Sequence, residues 1–203
     1  MKTQFFPEAA DFSRHYNDAK TQLVYSWMPA DMVTTVAATY KLCGENPHCF
    51  LLESVEGGNV LGRYSIIGFD PDTIWSCQHN AVKTWHKDAA WTDENNAPLQ
   101  SLRNFVKSCK IDIEPENVPP MAVSGLFGYL SYDMIRLVEN IPDNNPDEFH
   151  IPDSIMMRPT ALVIFDNVKN MICIVTPIYN HTENSGMTAE QTYSAATDKI
   201  TNI

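Results

Sequence analysis

The chain has 203 residues, 44% of them hydrophobic and 19% charged, enough for a domain with a sizeable core and ordinary for a globular protein. Lys and Arg number 14 against 25 acids, so the net charge is −11 and the pI is near 4.8. The acids are scattered between apolar segments and no basic stripe could neutralise phosphates, so no nucleic-acid partner is expected.

No apolar run approaches the ~20 residues that span a bilayer, and Met1–Glu8 lacks the apolar core of a signal peptide. No membrane partner is expected. The five cysteines, Cys43, Cys49, Cys77, Cys109 and Cys173, are odd in number and dispersed. That usage fits reduced thiols, and the expected compartment is the cytoplasm.

In chain order, Met28-Pro29-Ala30-Asp31 with Met32, Val33, Val36, Ala37 and Tyr40 predicts a helix with one apolar face. Pro29 suits its first turn and Gly44 its C-terminal cap. Residues 49–53 then read as a strand, Gly57-Gly58-Asn59 as a turn, and 64–69 as a second strand that Asp70-Pro71-Asp72 stops. Residues 73–78 and 81–86 alternate about His79-Asn80, the pattern of a hairpin. A loop through Asp93-Glu94-Asn95-Asn96 leads into a helix over 98–109, with Leu99, Leu102 and Val106 on one stripe.

Pro115, Pro119 and Pro120 make a stiff connector, and 124–132 is an aromatic strand whose Gly125 and Gly128 predict close approach of another backbone or a ligand. Asp133 can cap a short helix over 134–139, and the Asn-, Asp- and Pro-rich run 142–152 is an exposed loop. Residues 160–165 and 171–175, joined by Asp166-Asn167-Val168-Lys169-Asn170, form a hairpin whose unalternated apolar strands are buried on both faces. From Thr188, with Gln191 completing a capping box, a last helix places Ala189, Tyr193, Ala196, Ile200 and Ile203 on one stripe. It runs to the final residue and reads as truncated, its stripe left without a cover. Hairpins and separate helices together indicate an α+β fold in one domain over 1–203.

Catalytic signatures are absent from the sequence. The six histidines include no pair three or four apart, and there is no Cys-x-x-Cys, so no metal site is expected. Ser131 in Gly128-Tyr129-Leu130-Ser131-Tyr132 lacks the second glycine of a nucleophile elbow. No glycine-rich loop is followed by Gly-Lys-Ser/Thr, so no phosphate cradle is present.

Leu51-Leu52-Glu53-Ser54, followed by Arg63-Tyr64-Ser65-Ile66-Ile67-Gly68, groups a few polar side chains beside an apolar wall, which suits a small amphoteric ligand such as an amino acid. The same residues fit a plain strand over 49–52 whose Glu53-Ser54 opens the 55–61 turn, and the residues alone leave both readings open. Two further segments stand out: Gly125-Leu126-Phe127-Gly128-Tyr129-Leu130-Ser131-Tyr132-Asp133, and Arg158-Pro159-Thr160-Ala161 running into Leu162-Val163-Ile164-Phe165-Asp166.

In order and rough spacing these three motifs resemble the N-terminal domain of anthranilate synthase component I, over nearly the whole chain from about Pro7 to Ile178. The resemblance implies an α+β sandwich of two antiparallel sheets with helices outside. It also implies a regulatory domain that binds L-tryptophan, the end product of its pathway. The parent enzyme converts chorismate and ammonia to anthranilate and pyruvate with Mg²⁺, and a glutamine amidotransferase component II supplies the ammonia.

Chorismate and metal groups belong to a C-terminal chorismate-binding domain absent from this sequence, so no catalytic residue and no cofactor is expected here. By the same resemblance Ser54 meets the ligand's polar end. Glu53 suits its ammonium or orients Arg63. One of Leu51 and Leu52 faces the pocket and the other the core. Tyr64 and Ser65 form the second side, with Ile67 as a wall. Phe127 and Tyr129 are expected in the core, Asp133 as a cap, and Arg136 and Arg158 as salt-bridged surface residues. Component I of aminodeoxychorismate synthase, a sibling of the same architecture, and a free-standing ligand-binding module are the alternatives.

Overall fold

Apolar runs without alternation become strands covered on both faces, and two such runs organise this fold. The computed structural model describes residues 3–44, 46–56, 60–142, 144, 146–179 and 186–203. The expected turn at Gly57-Gly58-Asn59 lies outside the described residues. In chain order the elements are β1 (Phe5–Phe6), α1 (Ala9–Asn17), β2 (Gln22–Pro29), α2 (Thr35–Cys43), β3 (Phe50–Glu56), β4 (Val60–Gln78), β5 (Ala81–His86), β6 (Thr92–Glu94), α3 (Pro98–Ser108), β7 (Phe127–Leu130), β8 (Ser154–Asp166), β9 (Met171–Ile178) and α4 (Ala189–Asn202). A 3₁₀ segment at Tyr132–Leu137 follows β7.

Hydrogen bonding joins the strands in one order, β1-β2-β9-β8-β4-β5-β6, with β3 on β4 and β7 on β8. One sheet therefore stands where the sequence reading expects two. The physical reason is the length of β4 and β8, 19 and 13 residues. Asp70-Pro71-Asp72 does not stop β4: Asp70 takes a positive φ of 51° and the strand continues. The described residues group into two compact units, one of 1–70, 110–125 and 160–203, the other of 71–109 and 126–159.

In the first unit, β2 pairs antiparallel with β9 through Val24↔Thr176, and β9 with β8 through Ile174↔Val163. The β8–β9 hairpin is buried throughout 161–166 and 172–178, as its lack of alternation predicts. Phe12, Val24, Ile67, Val163, Phe165 and Ile174 share a core with Ala189, Ala196 and Ile200 of α4. The Phe12 ring lies 5.1 Å from that of Tyr193, and the Tyr193 hydroxyl donates to the Pro7 carbonyl at 2.8 Å. The stripe of α4, expected bare, is thus covered by α1 and by the chain's own sheet. The capping box is present: Gln191 N–H donates to Thr188 Oγ1 at 3.2 Å, and Thr188 N–H to Gln191 Oε1 at 2.9 Å.

Two expectations about helices change. Pro29 ends β2, a strand missing from the sequence reading, and α2 starts only after Thr34, whose hydroxyl accepts from Ala37 N–H at 3.2 Å. Val36 and Tyr40, 70% and 82% exposed, point away from the core. The face turned inward carries Ala38 and Cys43, small enough for close packing against Ile67 and its neighbours. The start of the connector 110–125 is pinned to the residue before β2: Thr21 donates its hydroxyl to the Lys110 carbonyl at 2.7 Å and accepts from Asp112 N–H at 2.8 Å. Hydrogen bonds from the Thr21 backbone and hydroxyl hold the Asp112 carboxyl below its usual range.

In the second unit, β4 and β5 form the expected hairpin, closing at Gln78↔Ala81 around His79-Asn80. Helix α3 turns Ser101 inward: Trp75 Nε1 donates to Ser101 Oγ at 2.9 Å, and Ser101 to Glu94 Oε2 at 2.5 Å. Leu102 and Phe105 cover Trp75 and Val82, while Val106 is exposed, so the buried stripe differs from the expected one by one position. A Cβ on Gly128 would run into the Ile155 carbonyl of the paired strand, the close backbone approach its sequence position predicts.

Arg158, expected at the surface, is 2% exposed. Its Nε donates to Asp72 Oδ1 at 2.6 Å and its Nη2 to Thr73 Oγ1 at 3.2 Å. Removing one member of a buried ion pair leaves the other uncompensated, at about 3–5 kcal/mol. Asp72→Ala is expected to lower the stability seen in urea unfolding by that order, and an unchanged midpoint would mean that Arg158 is solvated without its partner.

Candidate functional site

The Leu-Leu-Glu-Ser motif lies on β3, which pairs antiparallel with β4 through Leu51↔Ile67, Leu52↔Ile66 and Glu53↔Ser65. The next pair is Val55↔Leu61. Ser54 alone therefore stands opposite Gly62, Arg63 and Tyr64, a bulge of the kind that re-aims side chains at sheet edges. Alternation sorts the ladder. Leu51 and Ile67 face the core, whereas Leu52, 46% exposed, faces outward. Ile67 is fully buried and is core rather than the expected wall of a pocket. Glu53 and Ser65 share the face of Leu51 and Ile67, so the expected site residues are divided between the two faces of the ladder.

Ser54 is exposed and in intimate contact with Gly62. A Cβ on Gly62 would lie 2.5 Å from Ser54 Cβ, 2.7 Å from its Oγ and 2.8 Å from its carbonyl oxygen. Only glycine lets the two strands meet there. Ser65 is buried and its hydroxyl donates to Glu53 Oε1 at 3.5 Å, while Glu53 itself is exposed.

Arg63 is oriented by Asp166, the last residue of β8, and not by Glu53. Its Nε and Nη2 donate to Asp166 Oδ1 and Oδ2 at 3.3 and 3.0 Å, and its guanidinium lies 4.9 Å from the centre of the Tyr64 ring, a cation–π distance. The hydrogen bond to Asp166 raises the Arg63 pKa. The side chain of Asp166 is 1% exposed. Burial pushes its carboxyl upward, but Arg63 and the N–H groups of Lys169 and Val168 outweigh this and hold it below the usual carboxylate range.

Beside it, Asn167 grips the bulge. Its backbone N–H donates to the Arg63 carbonyl at 2.8 Å and its side-chain amide to the Gly62 carbonyl at 2.8 Å. Sequence reasoning placed Asp166 at the end of the third motif and in the hairpin turn, and Asn167 in that turn, and gave neither a role in the site. The available signal was an acid closing an otherwise apolar strand, where a buried carboxylate requires a partner.

In the second unit Ser131, not Asp133, precedes the 3₁₀ segment as its cap residue, and Asp133 pairs with Arg136. Phe127 is buried as expected. Tyr129 is exposed instead, its hydroxyl donating to the Pro152 carbonyl at 2.7 Å. A cavity of about 490 Å³ there is lined by His79, Asp133, Arg136, Asp147, Phe149 and Asp153, among others.

All five cysteines are free thiols, and burial pushes Cys173 up to about 12, which makes it unreactive. Among the described residues no cluster of His, Cys, Asp and Glu could hold a metal ion, and no helix is long and apolar enough to cross a membrane.

An α+β fold with one large sheet, flanking helices and a bulged strand pair at its edge defines the class, and sequence similarity narrows it. No protein-family model matches the chain. It is 38% identical over 194 residues to anthranilate synthase component 1 of Cereibacter sphaeroides, an alignment covering 93% of this chain and 38% of that protein. It is 34% identical over 183 residues to anthranilate synthase component 1 of a Synechocystis species, covering 89% and 35%. Anthranilate synthase component I from Streptococcus pneumoniae shares the fold with a TM-score of 0.51 at 18% identity, over 86% of this chain and 36% of that one. The chain is homologous to the anthranilate synthase component I family and spans a little over a third of the length of these relatives.

The Asp166 carboxyl gives a pH test. Its folded pKa is depressed, so its stabilisation is complete above the unfolded value near ~3.9 and is lost as pH falls through the lower folded value. The stability gap between wild type and Asp166→Asn should be constant from neutral pH to about 5 and shrink below about 4. Urea unfolding across that range measures it, and a gap that instead widened in acid would contradict the depressed value.

Proposed function

We propose that this chain is the N-terminal regulatory part of an anthranilate synthase component I, and that the bulged end of its β3–β4 ladder binds L-tryptophan. The observation that carries the reading is the bulge itself. It leaves Ser54 exposed, next to Glu53 and with Arg63 opposite it, in a chain homologous to this family. An amino acid needs an acceptor for its ammonium, donors for its carboxylate and an apolar surface for its side chain. The Glu53 carboxylate serves the first. The Ser54 hydroxyl and the outer edge of the Arg63 guanidinium serve the second, while Ser65 donates to Glu53 and holds that carboxylate in place. Half-buried Tyr64, whose ring lies against the Arg63 guanidinium, supplies apolar surface.

The proposed parent converts chorismate and ammonia to anthranilate and pyruvate, using Mg²⁺ in a C-terminal chorismate-binding domain and ammonia from a glutamine amidotransferase component II. Tryptophan acts allosterically there, which requires it to bind an inactive arrangement more tightly than the active one. Chemistry resides in that other domain, so the present chain alone should form no anthranilate from chorismate, ammonia and Mg²⁺. Anthranilate fluorescence above the uncatalysed background would overturn the assignment of the chain as purely regulatory.

Binding is tested by calorimetric titration of the chain with L-tryptophan. Saturable heat is expected, and Ser54→Ala should weaken binding by about 0.5–1.5 kcal/mol, the net worth of one hydrogen bond. Wild type without saturable heat, or a Ser54→Ala variant that binds equally well, would contradict the reading.

A further inference from the structure

We propose that Asn167, in the turn between β8 and β9, is the positioning residue of the ligand site, setting the place of Ser54 without touching the ligand. The inference rests on the reading of the bulge as an amino-acid site. Three of its features are independent of that reading.

The first is where the bulge is held. Opposite Ser54, the residues Gly62, Arg63 and Tyr64 have no ladder partners on β3, and unpaired backbone carbonyls must find donors elsewhere. Asn167 supplies both: its N–H to Arg63 and its side-chain amide to Gly62, each at 2.8 Å. The second is the contact between Gly62 and Ser54, which leaves no room for even a methyl group. A displacement of the Gly62 backbone is therefore passed directly to Ser54. The third is the rigidity of the anchor. Asn167 follows Asp166, whose carboxylate binds Arg63 from one side and the N–H groups of Val168 and Lys169, both at 3.1 Å, from the other. The turn that carries Asn167 is thus fixed to the same bulge by a second, charged clamp.

The chain of contact runs from the turn to Asn167, from its amide to the Gly62 carbonyl, and from Gly62 to Ser54. Asn is well suited to the task because its side chain donates while its backbone tolerates a tight turn. Aspartate in its place keeps the size but turns a donor into an acceptor facing a carbonyl, so it should disturb the bulge at least as much as alanine. Val168, 74% exposed in the same turn, makes a fair control.

The test combines backbone amide spectra with titration of L-tryptophan into the whole chain. In Asn167→Ala and Asn167→Asp, the resonances of Ser54, Arg63 and Tyr64 should shift, while those of Val24 and Ile174 in the core stay in place. Tryptophan affinity should fall on the order of tenfold, and Val168→Ala should change neither. Asn167→Ala spectra that coincide with wild type at Ser54 and Tyr64 would overturn the proposal, as would shifted spectra with undiminished affinity. If Ser54 moves in the variants but wild type never responds to tryptophan, the hold of Asn167 on the bulge stands and the tryptophan reading falls. Should Asn167→Ala fail to fold, the milder Asn167→Ser, which keeps a short donor in the turn, carries the same comparison.

Discussion

A carboxylate removed from water stays ionised only if donors surround it. Asp166 meets that demand by taking two guanidinium bonds from Arg63 and two backbone N–H groups from Val168 and Lys169. The first pair fixes a side chain on β4, and the second fixes the turn that opens β9. One buried charge thereby links the most deeply buried hairpin of the first unit to the irregular segment of β4 that faces β3. That link sets the direction of the Arg63 side chain beside the bulge at Ser54. Asn167, the next residue in the same turn, adds donors to the Gly62 and Arg63 carbonyls opposite Ser54.

Irregularity is also handled by side chains at the other break in the long strands. Asp70 bends β4 with a positive φ. In the first unit its carbonyl accepts the Thr160 hydroxyl at 2.5 Å, and its carboxylate accepts Lys199 Nζ at 2.6 Å. In the second unit Asp72 takes the buried Arg158. Pro71 and Pro159 stand in sequence beside these residues and donate no hydrogen bond. The Arg-Pro-Thr motif of β8 and the Asp-Pro-Asp segment of β4 thus carry complementary partners. That gives a physical reason for a motif that otherwise reads as punctuation.

Local signals were legible where they suffice by themselves. The capping box of α4, the two-residue turn at His79-Asn80 and the close approach at Gly128 depend on neighbours in sequence or on one crowded backbone, and each was readable. So was the burial of the β8–β9 strands, from runs without alternation. Failures came where a distant partner decides. Pro29 looks like a helix start until β9 is there to make Gln22–Pro29 a strand. The apolar residues of α2 point outward because the sheet accepts the side of Ala38 and Cys43. Asp70-Pro71-Asp72 reads as a stop until Thr160, Lys199 and Arg158 supply its partners. In the candidate site, Leu52, Glu53, Ser54, Arg63, Tyr64 and Ser65 were found by resemblance. Asp166 and Asn167, which bind Arg63 and its neighbour Gly62, lie far off in sequence and carry no local mark beyond the acid that ends the third motif.

The central claim is that this clamp builds a place for an amino acid, and a crystal structure of the chain with L-tryptophan addresses it most directly. The account expects the ligand at the bulge, with its ammonium within hydrogen-bond distance of Glu53, its carboxylate toward Ser54 and Arg63, and the Arg63–Asp166 bonds intact. Tryptophan bound elsewhere, or absent from the bulge at saturating concentration, would contradict it.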